Sequence, residues 1–429
     1  MSNPILALIP SGYKATKVYS VLPSGGSGDF TYDRNTPTDG TRVRKDGLIE
    51  LIGNDIPRLD WLNSDCPNLL IEPQRTNIQI KSEEFDNAAW TKQADLTVTA
   101  NQVTAPTGEL TADKIKRGST TDTNNYIWDA ASKSSSAQLD ACTSVFVKQG
   151  EGDFFAFRMQ GTYPNSANAI FQFSNTTLTT SVAGSNFTVA SSKVENYGNG
   201  WYRLSVVYNT DAAATITSFF SPRGSSGVID ATDTSTSAFV YLWGCQVEEG
   251  NSLTSYIETT SGTATRNADV CVVNPPSGVV SITETYSDNT TNVITTIPVN
   301  GELVTNGDFA TDSDWTKGTG WTISGGLAVA AAGSASYLNQ DVSGQSGKKY
   351  MVKIDVVRTA GTVFVFFGQF GGTFVSMTST GSYTFINDWT ANSNIGIYKD
   401  ASFVGSVDNV SVKEIYQINN GKIKKVIMI

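Results

Sequence analysis

Histidine does not occur in the 429 residues of this chain. Its absence excludes Ser-His-Asp and Cys-His nucleophiles, His-ligated zinc and iron, and imidazole acid–base chemistry. Catalysis by a carboxylate pair survives that filter, so composition leaves glycoside hydrolysis open. Charge is also scarce: Asp, Glu, Lys and Arg make up 16% of the chain, against roughly 25% in typical soluble domains. The surface is therefore built largely of Ser, Thr, Asn and Gly, which suit exposed pleated faces and turns. The net charge is −10, the wrong sign for neutralising phosphates, so neither nucleic acid nor anionic membrane is an expected partner. No apolar run approaches the ~20 residues of a membrane-spanning helix. No secretory leader is read either, because ILALI (5–9) lacks a basic start and ends at Pro10. Cysteine is sparse: Cys66, Cys142, Cys245 and Cys271 lie far apart with no Cys-x-x-Cys pair. Four thiols allow three pairings that sequence cannot choose among, and free thiols are the expectation.

What is present reads as strands. Residues 1–75 are rich in proline (4, 10, 23, 37, 57, 67 and 73), which precludes a long helix and interrupts sheets. An extended attachment arm is expected there, or else a strap lying across the chain's own sandwich. Residues 76–272 carry strand-like runs with turns between them, among them CTSVFVK, DFFAFRMQ, AIFQFS, WYRLSVVY and AFVYLWGCQVE. Short strands at this spacing predict a β-sandwich, and WYRLSVVY alternates like a strand packed on one side. Residues 273–302 begin and end near proline and hold a hairpin broken by SDNTTN, a linker between domains. Residues 303–416 form a second sandwich. EFDNAAWTK (84–92) and DFATDSDWTK (308–317) echo one another at the start of each, the mark of a repeated unit. The tail 417–429 turns at Asn420-Gly421 and ends in an apolar strand. That strand needs burial in a sheet or between subunits, which makes it the expected oligomerisation strand.

These strings carry a resemblance. DFTYDRNTPTDGTRVRKDGLIELIGNDIPRLDWLNSDCPNLLIEPQR (29–75), with IEPQRTNIQIKSEEFDNAAWTK (71–92), resembles a block near the N-terminus of many phage virion proteins. Those are fibre or spike subunits that pair an attachment segment with glycan-binding-like sandwiches, and the likeness runs over residues 1–275. SVFVKQG, NGWYRLSVVY, YLWGCQVEEG and TSYIETTSGTATRNADV are similar to the phage jelly-roll related to concanavalin-like and carbohydrate-binding modules. LVTNGDFATDSDWTKGTGWTISGGLAV, KKYMVKIDVVRTAGTVFVFFGQF and GSVDNVSVKEIY resemble a carbohydrate-binding-module jelly-roll. The resemblance implies an all-β head fibre, spike or tail fibre, made in the host cytoplasm and resident in the virion. It would dock on capsid or tail proteins, associate as a homotrimer and adhere to host or environmental glycans. It also implies a structural calcium ion where first and last strands meet, with Asp308 and Asp408 as oxygen ligands. A turn residue is the preferred reading of each, since Asp beside Gly or Asn usually forms a turn.

Sugar recognition needs flat aromatic rings for the C–H face and Asn, Asp, Gln or Arg at the rim. In the first sandwich the candidates are Tyr126 and Trp128, with Asn124 and Asn125 adjacent, and Arg158 beside the Phe154, Phe155, Phe157 cluster. Tyr126 and Trp128 share a strand face by parity. In the second they are Trp321, Phe364, Phe366 and Trp389 with Asn387. Core packing is the competing account for every one of these rings, and is preferred for Trp90, Trp201, Trp243 and Trp315. The nearest carboxylates are Glu83 and Glu84, Glu248 and Glu249, and Asp312 and Asp314. Consecutive residues on a strand point to opposite faces, so Glu248 and Glu249 cannot flank one glycosidic bond. Two rivals to an adhesin stay open: a depolymerase working through an Asp/Glu pair, and a scaffold that binds no sugar.

Overall fold

The computed structural model describes residues 4–19, 21, 30–34, 40–93, 95–118, 125–225, 227–233, 235–298, 301–367, 374–389 and 394–429. Asn124 and the PSGGSGD run (23–29) therefore lie outside the described residues. Every regular element is a strand, paired antiparallel, and no helix occurs among the described residues. The all-β expectation holds.

The first sandwich is two six-stranded sheets. The front sheet runs Thr91–Lys92, Ile127–Ser132, Thr215–Arg223, Phe154–Gln160, Ser166–Gln172, Thr177–Ala183. The back sheet runs Thr97–Val103, Ala112–Lys116, Phe239–Glu249, Asp140–Glu151, Trp201–Asn209, Thr188–Gly198. Alternation sends Phe155, Phe157, Phe220 and Phe171 inward from the front, against Val145, Val147, Leu204, Val206 and Leu242 from the back. WYRLSVVY departs from its one-sided reading, because its second face is covered too. Trp201 joins Phe146, Trp243 and Tyr256 under Leu62 and under Val43 and Ile49 of the Gly40–Val43 and Ile49–Ile52 hairpin. A bulge lets one strand serve both layers. The register slips between Ser144 and Phe146 opposite Trp243 and Gln246, and Gly244 there takes φ +61° with no room for a Cβ beside the Phe146 ring.

The echoed strings are structural equivalents. Phe85 packs on Trp90 with ring centroids 4.9 Å apart, and Phe309 on Trp315 at 5.2 Å. Trp90 Nε1 donates to Lys81 O at 3.1 Å and Trp315 Nε1 to Asn306 O at 3.0 Å, nine residues upstream in both cases. Lys81 and Asn306 both take positive φ (52° and 53°). Thr91–Lys92 and Thr316–Lys317 then form the edge of corresponding sheets. In the second sandwich that sheet continues through Ser336–Asp341, Asn394–Lys399, Val363–Phe367 and Phe374–Met377. Its mate comprises Trp321–Ser324, Leu327–Ala330, Val404–Glu414, Lys349–Ala360 and Gly381–Asp388.

The arm, linker and tail expected as three separate pieces are instead strands of one third body. One sheet orders Thr291–Ile294, Ile282–Tyr286, Gly421–Met428, Asn68–Ile71 and Leu59–Asp60, with Leu6–Leu8 also on Gly421–Met428. The other orders Tyr13–Lys14, Lys17–Val18, Phe30–Asp33, Val270–Val273 and Tyr416–Gln417. Between them lies a core of Leu6, Phe30, Leu69, Cys271, Ile282, Ile423, Val426 and Met428. None of the three segments has enough apolar residues to close a core alone, and together they do. The tail strand thus meets its need for burial inside its own chain. All four cysteines are free, Cys66 exposed and the other three buried.

Candidate functional site

The front sheet of the first sandwich carries a transverse row of side chains on its outer face. The register aligns Thr91, Trp128, Phe219, Arg158, Asn168 and Ser181 across all six strands. Alternation dictates this: Ile127, Phe220, Phe157 and Ala169, one position away on each strand, enter the core. Trp128 stacks beside Phe219 at 6.1 Å and 29°, and Tyr126 meets Phe219 edge-on at 5.1 Å. Arg158 lies over the same ring, its guanidinium carbon 6.0 Å from the centroid, while its Nε donates to Asn168 Oδ1 at 2.7 Å. Its Nη2 pairs with Asp230. Asp230 is delivered by a pinned loop, in which Asp233 accepts from the Gly224, Ser225 and Ser235 amides and Arg223 donates to Ile229 O and Ala231 O. Ile229 from that loop packs with Ala156 and Phe219, leaving Phe219 8% exposed beneath the partly buried Tyr126 and Trp128. The result is a fixed aromatic floor with a guanidinium, an amide and a carboxylate at its rim.

Three sequence candidates, Tyr126, Trp128 and Arg158, are therefore brought together. Asn125 is not among them: it is fully buried, with Oδ1 accepting the Gly118 amide at 3.1 Å. Phe219, Asn168 and Asp230 were missed, because only cross-strand register and a loop place them there.

In the second sandwich, Trp321 and Trp389 are corrected. Both are core residues, 4% and 1% exposed, Trp389 packing edge-on to Tyr350 and Phe367. A tryptophan between the sheets fills volume and cannot meet a polymer outside. Asn387 turns its Oδ1 to the Asp388 amide. Phe364 and Phe366 do face outward, on the sheet equivalent to the first sandwich's front sheet. The register sets Tyr337, Tyr398, Phe364 and Ser376 in one row and Asn339, Gly396, Phe366 and Phe374 in the next. Tyr337 and Tyr398 are 4.6 Å apart, Phe364 and Phe374 5.5 Å, and Phe366 and Phe374 5.6 Å. Gly396 leaves the floor between Tyr337 and Phe366 without a side chain. The outward positions Tyr337 and Tyr398 are readable from the alternation in SYLNQD and NIGIYK once the core face is known.

Asp308 and Asp408 do not fit a shared calcium cage. Asp308 accepts its own turn amide from Ala310, and Asp408 accepts from Asn409 while sitting opposite Asp355 in the ladder. No cluster of three or more metal-ligating side chains occurs among the described residues. The sequence-adjacent carboxylates have local partners: Glu84 holds Lys81, Glu248 accepts from Thr254 N at 3.0 Å, and Glu249 accepts from Ser134 N at 2.6 Å. Glu83 accepts from Tyr256 Oη at 3.0 Å, and Asp312 pairs with Lys317.

No protein-family model matches this chain, and no curated protein does. Among solved structures it is similar to the N-terminal CBM22-1-CBM22-2 tandem domain of Paenibacillus barcinonensis Xyn10C, at 10% identity, covering 79% of this chain and 97% of that one, with a TM-score of 0.25. It is also matched to the 7S globulin of Momordica charantia at 7% identity, covering 79% and 86%, with a TM-score of 0.10.

Proposed function

We propose that this chain is a binding and display protein that holds glycans on the outer faces of its two sandwiches. The observation that carries the reading is the Trp128–Phe219–Arg158–Asn168 row. It joins a flat apolar floor to a charged and amide rim, which is what a sugar ring presents in complement. The corresponding sheet of the second sandwich offers Tyr337, Phe364, Phe366, Phe374 and Tyr398, with Asn339 and Ser376 at its ends. Two shallow faces on one chain suit a repeating polymer. Engagement of the second becomes intramolecular, worth on the order of 10²–10⁴ in avidity. The absence of histidine and the local engagement of the nearest carboxylates support binding without turnover.

On the resemblance of residues 1–275 to phage fibre and spike proteins, we propose a virion adhesin, a head fibre, spike or tail fibre. It would be docked to capsid or tail proteins and assembled as a homotrimer. Affinity electrophoresis through gels containing host surface polysaccharides tests the reading, with an assay for newly formed reducing ends in parallel. Retardation of the parent, loss of retardation in Trp128→Ala and no new reducing ends are expected. An unretarded parent would leave a scaffold, and polymer cleavage a depolymerase. Immunogold labelling of intact particles tests the virion assignment.

A further inference from the structure

A cleft of about 730 Å³ lies between the third body and the back sheet of the first sandwich. It shares no residue with either aromatic face. Its walls are held, not loosely apposed. Asp60, 3% exposed, accepts from the Val43 amide at 3.0 Å, the Leu62 amide at 3.2 Å and Lys422 Nζ at 3.0 Å. Arg203, 2% exposed, donates to Thr254 O at 2.9 Å and Ser144 Oγ at 3.0 Å. Beside Arg203 on the same sheet, and facing Asp60 across the cleft, its register partner Glu195, 9% exposed, takes Lys193 Nζ at 2.8 Å. Burial works against its ionisation, but Lys193 and Arg203 outweigh that and hold it below the ordinary glutamate range, so it stands as an acceptor. The two sides are held together at Ser255, whose amide and hydroxyl donate to Glu72 at 2.8 and 2.7 Å and whose Oγ accepts from Arg58 Nη1 at 2.7 Å.

The chemistry of the wall selects a ligand class. Cationic and anionic side chains line it in equal number, four of each, so a ligand with net charge gains nothing overall. A neutral polyol, by contrast, offers hydroxyls that both donate and accept. The half-buried rings of Tyr197 and Tyr286 supply apolar surface on the same wall. The volume lies within the roughly 300–1,000 Å³ of small-molecule sites, which favour domain junctions.

We infer that this cleft is a second, separate ligand site that takes a short neutral oligosaccharide between Asp60 and Lys422 on one wall and Glu195 and Lys193 on the other. The inference does not depend on the outer faces binding polymer.

Saturation-transfer NMR on the full chain tests it, with the methyl glycosides of glucose, galactose and N-acetylglucosamine and with maltose, cellobiose and lactose as probes. At least one probe is expected to receive saturation from the parent and, undiminished, from Trp128→Ala. Transfer is expected to fall at least fivefold in Glu195→Gln or in Lys193→Ala, whose side chain is 66% exposed. No transfer from any probe, parental transfer in both cleft variants, or transfer abolished by Trp128→Ala would each overturn the assignment. Failure of the outer-face reading shows separately, as an unretarded parent in polysaccharide gels.

Discussion

Arg58 and Asp269 meet as an ion pair with both side chains fully buried, although 211 residues separate them in the chain. Asp269 also faces Arg34 at 3.5 Å and Arg266 at 3.6 Å and receives the Tyr32 hydroxyl, while Arg58 Nη1 lies 2.8 Å from Glu72. The network fastens the N-terminal strands to the segment leaving the first sandwich. Removing one member strands its partners in low dielectric, so Arg58→Met is expected to cost about 3–5 kcal/mol. Urea denaturation of the variant against the parent measures it.

Trp128 and Trp389 separate binding from packing. Trp128→Ala removes a partly buried ring from the outer face and is expected to weaken polysaccharide retention at least tenfold while costing less than about 1.5 kcal/mol. Trp389→Ala opens a cavity in the second core and is expected to cost about 3–5 kcal/mol, with retention by the folded fraction unchanged. Paired denaturation and gel-retardation curves distinguish the two.

Glu83 gives the stability a pH dependence. Burial first, and then the neighbouring Glu258 carboxylate, push its pKa from 4.5 up to about 7. An acid whose folded pKa is raised contributes stability that is fully present below pH 4.5 and is lost as pH rises through 7. Glu83→Gln is therefore expected to flatten that decline and to stabilise the protein at pH 8 by about 2–3 kcal/mol, at ~1.4 kcal/mol per unit. Thermal unfolding across pH 4–9 reads the difference.

The strand Gly421–Met428 is hydrogen-bonded on both sides, to Ile282–Tyr286 on one and to Leu6–Leu8 and Asn68–Ile71 on the other. Deleting residues 421–429 is expected to expose residues 4–75 to limited proteolysis, while the two sandwiches stay resistant. Resistance of the N-terminal strands in the truncated chain would count against the third body.

Cys66 is exposed whereas Cys142, Cys245 and Cys271 are buried. One thiol per chain is expected to react rapidly with a disulfide reagent under native conditions, and four after denaturation. Burial also pushes the three inner thiols well above the usual range, which slows them further.

The two sandwiches were legible because many of their strands are long and alternate cleanly. Tyr126 and Trp128 were legible by parity alone. Phe219 was not, since on its own strand SFFS reads equally well with either phenylalanine outward, and only pairing with Trp128 and Arg158 decides. Trp321 and Trp389 sit among polar neighbours exactly as a surface ring would in a one-dimensional reading; the facing sheet alone puts them inside. The third body was invisible for a different reason. Its strands are two to eight residues long and are gathered from both halves of the chain, so no window of sequence holds a hydrophobic period. Arg58 and Asp269 lie in turn-rich polar runs that look solvated until those strands close over them.

The distant origins of the third body set an order on synthesis. Leu6 pairs with Met428 and Leu8 with Val426, so the Leu6–Leu8 strand waits without its mate until the Gly421–Met428 strand has been added. Both sandwiches can close earlier from neighbouring segments. The junction, with its interdomain cleft, therefore closes after the two sandwiches, and its formation reports that the Gly421–Met428 strand has been made.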